Sequence, residues 1–318
     1  KEAGQKYREL QPSGVKQMQL MSKEFIQSRY SQFIDFDIDD AKELAEVMQI
    51  HSTATSRTIE SAKVQARSLL SNLAEEEIEA MIQVAPEAED HLLHLGTKNC
   101  NFLKRMINHA KNSEHQEYIE EFVSYVLINY LREIVKGFTP SPEDLRTSGR
   151  AQSIFVTSED DQLLVDYGPR ICSYIYWAQK QAGIPMTFSE DANSQLITRL
   201  CEVVVDSKLY RNIHAHEFVA SMVPHQLLHE VLLPQMKSVI EENDQAPKQP
   251  KYYHFSTHQE QLGPLLHVLG LVSFKRTDPG SSLFLELFED EDQQHQVTLR
   301  YMRDHNTTGW LLQTDFES

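Results

Sequence analysis

Residues 50–62 read Ile50-His51-Ser52-Thr53-Ala54-Thr55-Ser56-Arg57-Thr58-Ile59-Glu60-Ser61-Ala62. Residues 46–51 have the character of a short strand, and Thr55 is of a residue type that caps helix N-termini. Beyond this cap, apolar residues recur at helical spacing and form one face, which consists of Ile59, Ala62, Ala66 and Leu69. The stretch therefore predicts a strand, a loop and a helix in that order.

A second segment repeats this layout near the other end of the chain. It reads Tyr252-Tyr253-His254-Phe255-Ser256-Thr257-His258-Gln259-Glu260-Gln261-Leu262. The aromatic run predicts a strand, and the residues after it predict a loop and a helix that ends near Leu269 and Gly270. Residues 282–288 and 296–301 alternate in side-chain character around an acidic turn, which predicts a β-hairpin at the edge of the sheet.

Between the two units the hydrophobic pattern is helical almost throughout, with predicted segments near residues 74–83, 98–111, 114–136, 160–182, 189–206 and 214–242. A further amphipathic helix is predicted over residues 14–30. We therefore expect a discontinuous α/β domain formed by residues 1–75 and 250–318. A mainly helical subdomain of residues 76–249 interrupts it in sequence.

Composition excludes several classes of protein. The chain has 318 residues, 40% of them hydrophobic, which is enough for a globular core. Its formal net charge of -17 leaves no basic surface for phosphate backbones, so we expect no nucleic-acid partner. No apolar run reaches the roughly 18 residues of a membrane span, so we expect no transmembrane segment.

The two units and four further segments resemble the histidine acid phosphatase family over essentially the whole chain. Within the family, the resemblance is closest to the lysosomal and prostatic acid phosphatase-like branch. The further segments are Leu10-Gln11-Pro12-Ser13-Gly14-Val15-Lys16-Gln17, Ser28-Arg29-Tyr30, Leu92-Leu93-His94-Leu95-Gly96-Thr97-Lys98-Asn99-Cys100 and Gly280-Ser281-Ser282-Leu283-Phe284-Leu285-Glu286-Leu287.

The resemblance implies an α/β fold with a phosphoglycerate mutase-like sheet, flanking helices and an α-helical cap subdomain. It also implies a two-step hydrolysis of phosphomonoesters. A histidine in an R-H-G-x-R-x-P motif attacks phosphorus, arginines hold the phosphoryl oxygens, and an H-D pair provides a second histidine and the acid that protonates the leaving group. No cofactor and no metal are implied.

Two departures concern the residues that handle the phosphoryl group. No R-H-G occurs in the sequence, so the nucleophile is absent from it or lies upstream of residue 1. The family's R-S-T-x-x-x-R-T reads His51 to Thr58 here, so His51 replaces one arginine while Arg57 matches the second. A neutral imidazole offers one donor where guanidinium offers five and a permanent charge, so phosphate affinity is expected to fall. Arg57 is either a retained phosphate contact or a buried arginine that pairs the sheet with a helix.

A third departure concerns the proton donor. The family's H-D pair reads His258-Gln259, and an amide cannot deliver a proton to a leaving group. His258 remains as a remnant of the phosphate site. Some members of the inositol polyphosphate phosphatase type carry the acid one residue later, so Glu260 is either a proton donor or an ordinary first-turn glutamate that stabilises its helix.

The cysteines and the remaining histidines have simpler interpretations. Cys100 and Cys172 fall where secreted members carry disulfide cysteines, but the C-terminal partners are missing. This favours an intracellular location, cytoplasmic or organellar such as mitochondrial, over a secreted or lysosomal one. His91, His94 and His267 are interpreted as helix-face or core residues. His225 and His229 are one helical turn apart, but this is a weak zinc signal because Gln226 replaces the glutamate of H-E-x-x-H.

These observations favour a catalytically inactive phosphatase-like protein with a structural or binding role, such as that of a subunit of a complex. A protein partner or a homo-oligomer is expected, and a phosphomonoester or phosphate is the candidate ligand. The alternative is an active intracellular phosphomonoesterase whose R-H-G strand lies upstream of residue 1. In the family that strand lies in the middle of the sheet, so a fold without it leaves a gap with unpaired edges.

Overall fold

A computed structural model describes residues 9–95, 99–111, 121–122, 124–125, 129, 172, 199–204, 217–241, 250–271, 277–302 and 312–317. The chain divides into two compact units, one of residues 8–104 and 217–318, the other of residues 1–7 and 105–216. The first, called the main unit below, contains both predicted strand, loop and helix segments. Most residues of the helices predicted over 114–136, 160–182 and 189–206 lie outside the described residues.

The first helix of the main unit confirms the prediction over residues 14–30. It comprises α1 (Pro12–Leu20), a π-helical stretch (Met21–Gln27) and a last turn, α2 (Ser28–Tyr30). Pro12 stands in the first turn, where its missing N–H costs nothing. The Ser22 hydroxyl lies 3.1 Å from the Gln65 carbonyl oxygen, which ties the helix to a later one in the core.

The next segment forms the first half of a parallel sheet. It comprises, in order, α3 (Ala41–Val47), β1 (Met48–Ser52), α4 (Ser56–Leu69), α5 (Glu75–Met81) and β2 (Ile82–Val84). The Asp40 carboxylate caps α3 by accepting a hydrogen bond from the Lys42 N–H at 2.7 Å. The helix predicted over 74–83 ends at Met81, because the chain continues there as a strand.

The core of the main unit gathers around β1. Met48 and Ile50 point to one face of this strand and are 2% and 1% exposed. They pack with buried residues of the first helix, α3, α4 and α5, namely Met21, Ile26, Leu44, Ala62, Ala66, Leu69 and Ile78. Burial alternates along β1, so that Met48 and Ile50 face this core while Gln49 and His51 lie on the other, partly buried face.

Helices precede the third strand. They are α6 (Asn101–Lys111), α7 (Glu217–Met222), a π-helical stretch (Leu227–Leu232) and α8 (Leu233–Ile240). The strand β3 (Tyr252–Ser256) and the helix α9 (Gln259–Val268) follow them. A second apolar cluster joins this region to the loop before α6 through Leu93, Leu227, Leu228 and Leu265.

In the parallel sheet, β1 lies between β2 and β3. Its centre, Ile50, pairs with Ile82 on one side and His254 on the other, and Ser52 pairs with Ser256 at the carboxyl end. Both predicted strand, loop and helix units are therefore confirmed, and the α/β class is confirmed with them. Because β1 and β3 run parallel, the loops after them meet at one edge of the sheet.

The end of the chain forms a separate antiparallel sheet of β4 (Ser282–Glu289), β5 (His295–Met302) and β6 (Leu312–Glu317), in that order. Its first two strands confirm the predicted hairpin. Gly280 precedes β4 with a φ of 81°, and its Cα lies against the side chain of Gln17, whose amide donates to the Pro279 carbonyl at 2.9 Å. A side chain at position 280 would meet that amide.

The edge strands of the two sheets are β2, β3, β4 and β6, and each has one edge without a partner among the described residues. The strand β3 pairs only with β1, and β4 pairs only with β5. The ring of Tyr30 connects these strands, since its centroid lies 6.4 Å from that of Tyr252 on β3 and 6.2 Å from that of Phe284 on β4. Both sheets therefore contact the ring of Tyr30, and no backbone hydrogen bond between described residues joins one sheet to the other.

An ionic cluster fixes β4 to the first helix. The carboxylate of Glu286 accepts hydrogen bonds from Arg29 Nε at 2.5 Å, from the Tyr30 hydroxyl at 2.6 Å and from Arg300 Nε at 2.9 Å. Burial alone would raise the pKa of Glu286, but these hydrogen bonds lower it to about 2. Glu286 is therefore ionised at neutral pH, and its charge is compensated by two guanidinium groups.

Candidate functional site

The candidate site lies where the N-termini of α4 and α9 meet. The loop after β1 leads through Thr55, the N-cap of α4, and β3 leads into His258, the N-cap of α9. Neither cap side chain bonds to the N–H groups of its own helix. The Thr55 hydroxyl oxygen instead lies 3.3 Å from Nε2 of His258, so two helix N-termini with their partial positive charge converge on one point.

His258 is held by hydroxyl groups of the loop after β1. Its Nε2 lies 3.0 Å from Oγ1 of Thr53, and this hydroxyl lies 2.7 Å from that of Thr58. The Thr53 N–H donates to the Ser256 carbonyl at 3.2 Å, which continues the β1–β3 pairing into the site. The pairing of β1 with β3 therefore brings the loop hydroxyl groups to the imidazole and holds it in place.

Arg57 is the permanent cation of the site. Its Nη2 lies 3.5 Å from Nδ1 of His258, and because guanidinium only donates, Nδ1 is the acceptor in this contact. Burial, followed by the charges of Arg57 and His94, lowers the pKa of His258 to about 3. The free site thus presents a neutral imidazole beside a guanidinium at physiological pH.

A second imidazole faces His258. The ring centroid of His94 lies 4.8 Å from that of His258, and the planes are inclined by 53°. Our sequence interpretation of His94 as a helix-face or core residue missed this position. Spacing could not reveal it, since the contact joins loops that are far apart in the sequence.

Side chains on both sides of His258 fix the loop that carries His94. The Thr257 hydroxyl donates to the Leu93 carbonyl at 2.6 Å, and the Gln261 amide donates to the Leu92 carbonyl at 3.2 Å. The Asn99 amide closes the loop by donating to the His94 carbonyl at 3.0 Å. His94 is consequently positioned by the same turn that positions His258.

His51 does not join this group in its described contacts. Its ring stacks on Phe255 of β3, with centroids 5.3 Å apart and planes inclined by 17°. Its Nε2 lies 3.4 Å from the side-chain oxygen of Gln49 on the same face of β1. Burial lowers its pKa, so the ring is a neutral packing element of the sheet.

The two residues after His258 lie in the first turn of α9. Gln259 has a buried side-chain oxygen with no hydrogen-bond partner in the described part of the chain. Glu260 is exposed to solvent. The structure thus places an amide, not an acid, directly beside His258, while the nearest glutamate in sequence faces outward.

Three other features that the sequence raised are a metal site, the cysteines and a membrane-spanning helix. Within the described ranges, no group of three or more histidine, cysteine or acidic side chains could hold a metal ion, although the rings of His225 and His229 lie 4.6 Å apart. Cys100, Cys172 and Cys201 are free thiols, and the last two are buried. None of the helices in the described residues is long and apolar enough to cross a membrane.

Comparison with solved structures identifies the architecture. A Klebsiella sp. ASR1 phytase superposes with a TM-score of 0.59 at 14% identity, covering 100% of this chain and 82% of that one. An apo Hafnia alvei phytase gives 0.55 at 14% identity, with 95% and 76% covered. A Citrobacter braakii phytase gives 0.52 at 10%, with 95% and 78% covered.

At sequence level the result differs, since no protein-family model and no curated protein sequence matches the chain. The likeness therefore concerns the fold, and extends over nearly the whole chain. It agrees with the mixed helix and sheet architecture and its parallel sheet. The chain has the histidine acid phosphatase fold of these phytases.

Proposed function

We propose that this protein binds phosphomonoesters at the site of His258 and Arg57 without hydrolysing them, and that it serves as a binding or structural component of a complex. The observation that carries the proposal is the junction of Thr55 and His258, where two helix N-termini meet beside a guanidinium. Such an arrangement favours a compact oxyanion, because N–H dipoles and a fixed cation face one point.

The same geometry argues against turnover. Hydrolysis of an alkyl phosphate needs an acid close to the leaving oxygen, and Gln259 has no proton to give. Glu260 is exposed, and no described contact joins it to His258. The imidazole of His258 is neutral in the free protein, since burial and Arg57 lower its pKa to about 3. The residues that follow His258, where the family carries its proton donor, therefore supply no acid, and the proposal is binding without turnover.

Calorimetric titration with phenyl phosphate tests the binding half. We expect the Arg57→Ala variant to bind about 10- to 100-fold more weakly, because a hydrogen bond to a charged group contributes about 1.5–3 kcal/mol. Arg67→Ala is the matched control, since Arg67 lies in the last turn of the same helix and pairs with Glu75. Equal affinity of both variants and the wild type would contradict the proposed site.

A phosphatase assay from acidic to neutral pH tests the other half. We expect no release of phosphate above background from the protein. If turnover is found, His258→Ala decides its origin. Activity that disappears in this variant would overturn the proposal of an inactive protein, and activity that persists would come from a contaminant.

The unpaired strand edges favour a second candidate function. β3 and β4 flank Tyr30, and each pairs on one side only among the described residues. An additional strand between them would complete one continuous sheet. If it carries an R-H-G motif encoded upstream of residue 1, the protein is an active phosphomonoesterase with His258 in its site. Phosphatase activity of the natural full-length protein, lost when the histidine of that motif is substituted, would establish this alternative.

The same edges support the proposal of a protein partner. An exposed strand edge is a template for pairing with a strand of another chain or of a second copy. Sedimentation of the natural protein, alone and in cell extract, measures its association directly. The free thiols favour a reducing compartment, and we propose an intracellular location that imaging of the tagged protein would check.

A further inference from the structure

We propose that His94 is a second imidazole ligand of the anion at His258, so that the two histidines bind a phosphomonoester together and take up protons as they do so. This inference rests on the proposed binding function and adds a residue and a pH response to it. It starts from the ring contact between His94 and His258, whose centroids are 4.8 Å apart.

The position of His94 is fixed rather than incidental. Leu92 and Leu93, which precede it, are hydrogen-bonded through their carbonyls to Gln261 and Thr257 of the turn around His258. The Leu93 N–H in turn donates to the Asp90 carboxylate at 2.8 Å. The bonds reach residues on both sides of His258 in the sequence, so the loop that carries His94 is held against the turn that carries His258.

Two facing imidazoles become easier to protonate when an anion binds beside them. If both were protonated in the free protein, their charges would repel each other at this distance and would be repelled by Arg57. Burial, followed by the charges of Arg57 and His94, lowers the pKa of His258 to about 3, so charge repulsion adds to the cost of burial in the free state. A bound dianion reverses the sign of the local field, so the protonated rings become favourable and donate hydrogen bonds to its oxygens.

The charged groups around the pair are consistent with this response. Arg57 approaches His258 from α4, and His94 approaches it from its loop. Asp90 belongs to the loop, but one of its oxygens already accepts the Leu93 N–H. Glu260 on α9 is exposed. Among the described residues, the permanent charge in direct contact with His258 is therefore the guanidinium of Arg57, and a bound anion would neutralise it. The second carboxylate oxygen of Asp90 is buried and accepts no hydrogen bond from a described residue.

Proton uptake distinguishes this role from a structural one. Calorimetric titration with phenyl phosphate at pH 6.5 and 8, in buffers of different ionisation enthalpy, counts the protons bound with the ligand. We expect net uptake by the wild type and an affinity that falls by up to about tenfold per pH unit for each proton taken up. His94→Gln should take up fewer protons and bind about tenfold more weakly at pH 6.5, with a smaller difference at pH 8.

His91→Gln is the matched control, because His91 lies in the same loop and its described bond is a backbone one to Glu89. His94→Asn provides a second variant in case His94→Gln does not fold. Wild-type proton uptake and affinity in the His94 variants would overturn the inference. So would a loss of affinity equal at both pH values with unchanged proton uptake, since His94 would then only support the loop. Failure of the wild type to bind phenyl phosphate would instead refute the proposed function, and this inference with it.

Discussion

Substitution of Glu286 by glutamine tests the ionic cluster that fixes β4 to the first helix. The pKa of Glu286 is about 2 in the folded protein, against 4.5 without its partners, because the hydrogen bonds from Arg29, Tyr30 and Arg300 outweigh the effect of burial. A difference of about 2.5 pKa units corresponds to roughly 3 kcal/mol of folding free energy. Since Arg29 is 35% exposed, solvent weakens its share, and we expect about 2–3 kcal/mol.

The pH dependence of this contribution has a defined sign. A carboxyl whose pKa is lowered by folding stabilises the protein above its unfolded pKa, and this stabilisation is lost as the pH falls toward the folded value. Glu286→Gln should therefore lower the free energy of unfolding by about 2–3 kcal/mol at pH 7, and the difference from wild type should shrink between pH 4.5 and 2.

Urea unfolding followed by circular dichroism at several pH values provides the measurement. Glu289→Gln is the control, because Glu289 ends the same strand and is exposed, and we expect a change within about 0.5 kcal/mol. A loss below about 1 kcal/mol for Glu286→Gln at pH 7, or a loss that stays constant down to pH 2, would refute the assignment of a buried, charge-dependent cluster.

Three further predictions concern stability. Ile50→Ala, at a site that is 1% exposed in the centre of β1, should cost about 2–5 kcal/mol in urea unfolding, and a smaller loss would mean that the cavity collapses. Gly280→Ala should lower the melting temperature more than Gly270→Ala, because both have positive φ but only at Gly280 does the new Cβ meet Gln17; equal shifts would contradict this. Lys63→Ala should change the free energy of unfolding by less than about 1 kcal/mol, since its partner Glu79 is solvent-exposed, and a larger loss would reveal a coupled network.

The elements that the sequence predicted correctly are those determined by side-chain periodicity within a short stretch of chain. The helix over 14–30, the helix after Thr55 and the terminal hairpin each follow from a periodicity within a short window. The strand β2 was missed because its three residues directly follow a helical pattern. The strand β6 was missed because we interpreted no turn signal before it. Both β2 and β6 depend on pairing with another strand, β1 and β5, that lies outside the short stretch of sequence from which each would be predicted.

In the candidate site, too, the sequence predicted some residues and missed others. The motif predicted a role for His258 and left Arg57 open between a phosphate contact and a buried arginine. In the structure Arg57 is exposed and lies beside His258, so it is not a buried arginine. His51 stays a predicted remnant of the phosphate site; in the structure it lies on the face of Gln49 and stacks on the neighbouring strand. Side-chain direction from a pleated strand cannot be read from a motif alignment. His94 was not recognised, because no local pattern connects it with His258.

The pairing of β1 with β3 also bears on the order of folding. Thr53 and His258, which this pairing brings into contact, are 205 residues apart in the sequence. Contacts of such high sequence separation close late, after local hairpins and helices have formed, because the chain entropy lost in closing the loop must first be offset. The contacts around His258 therefore exist only in molecules in which β1 and β3 have paired. A phosphomonoester bound there, as we propose, would stabilise these molecules over chains that have not completed this pairing.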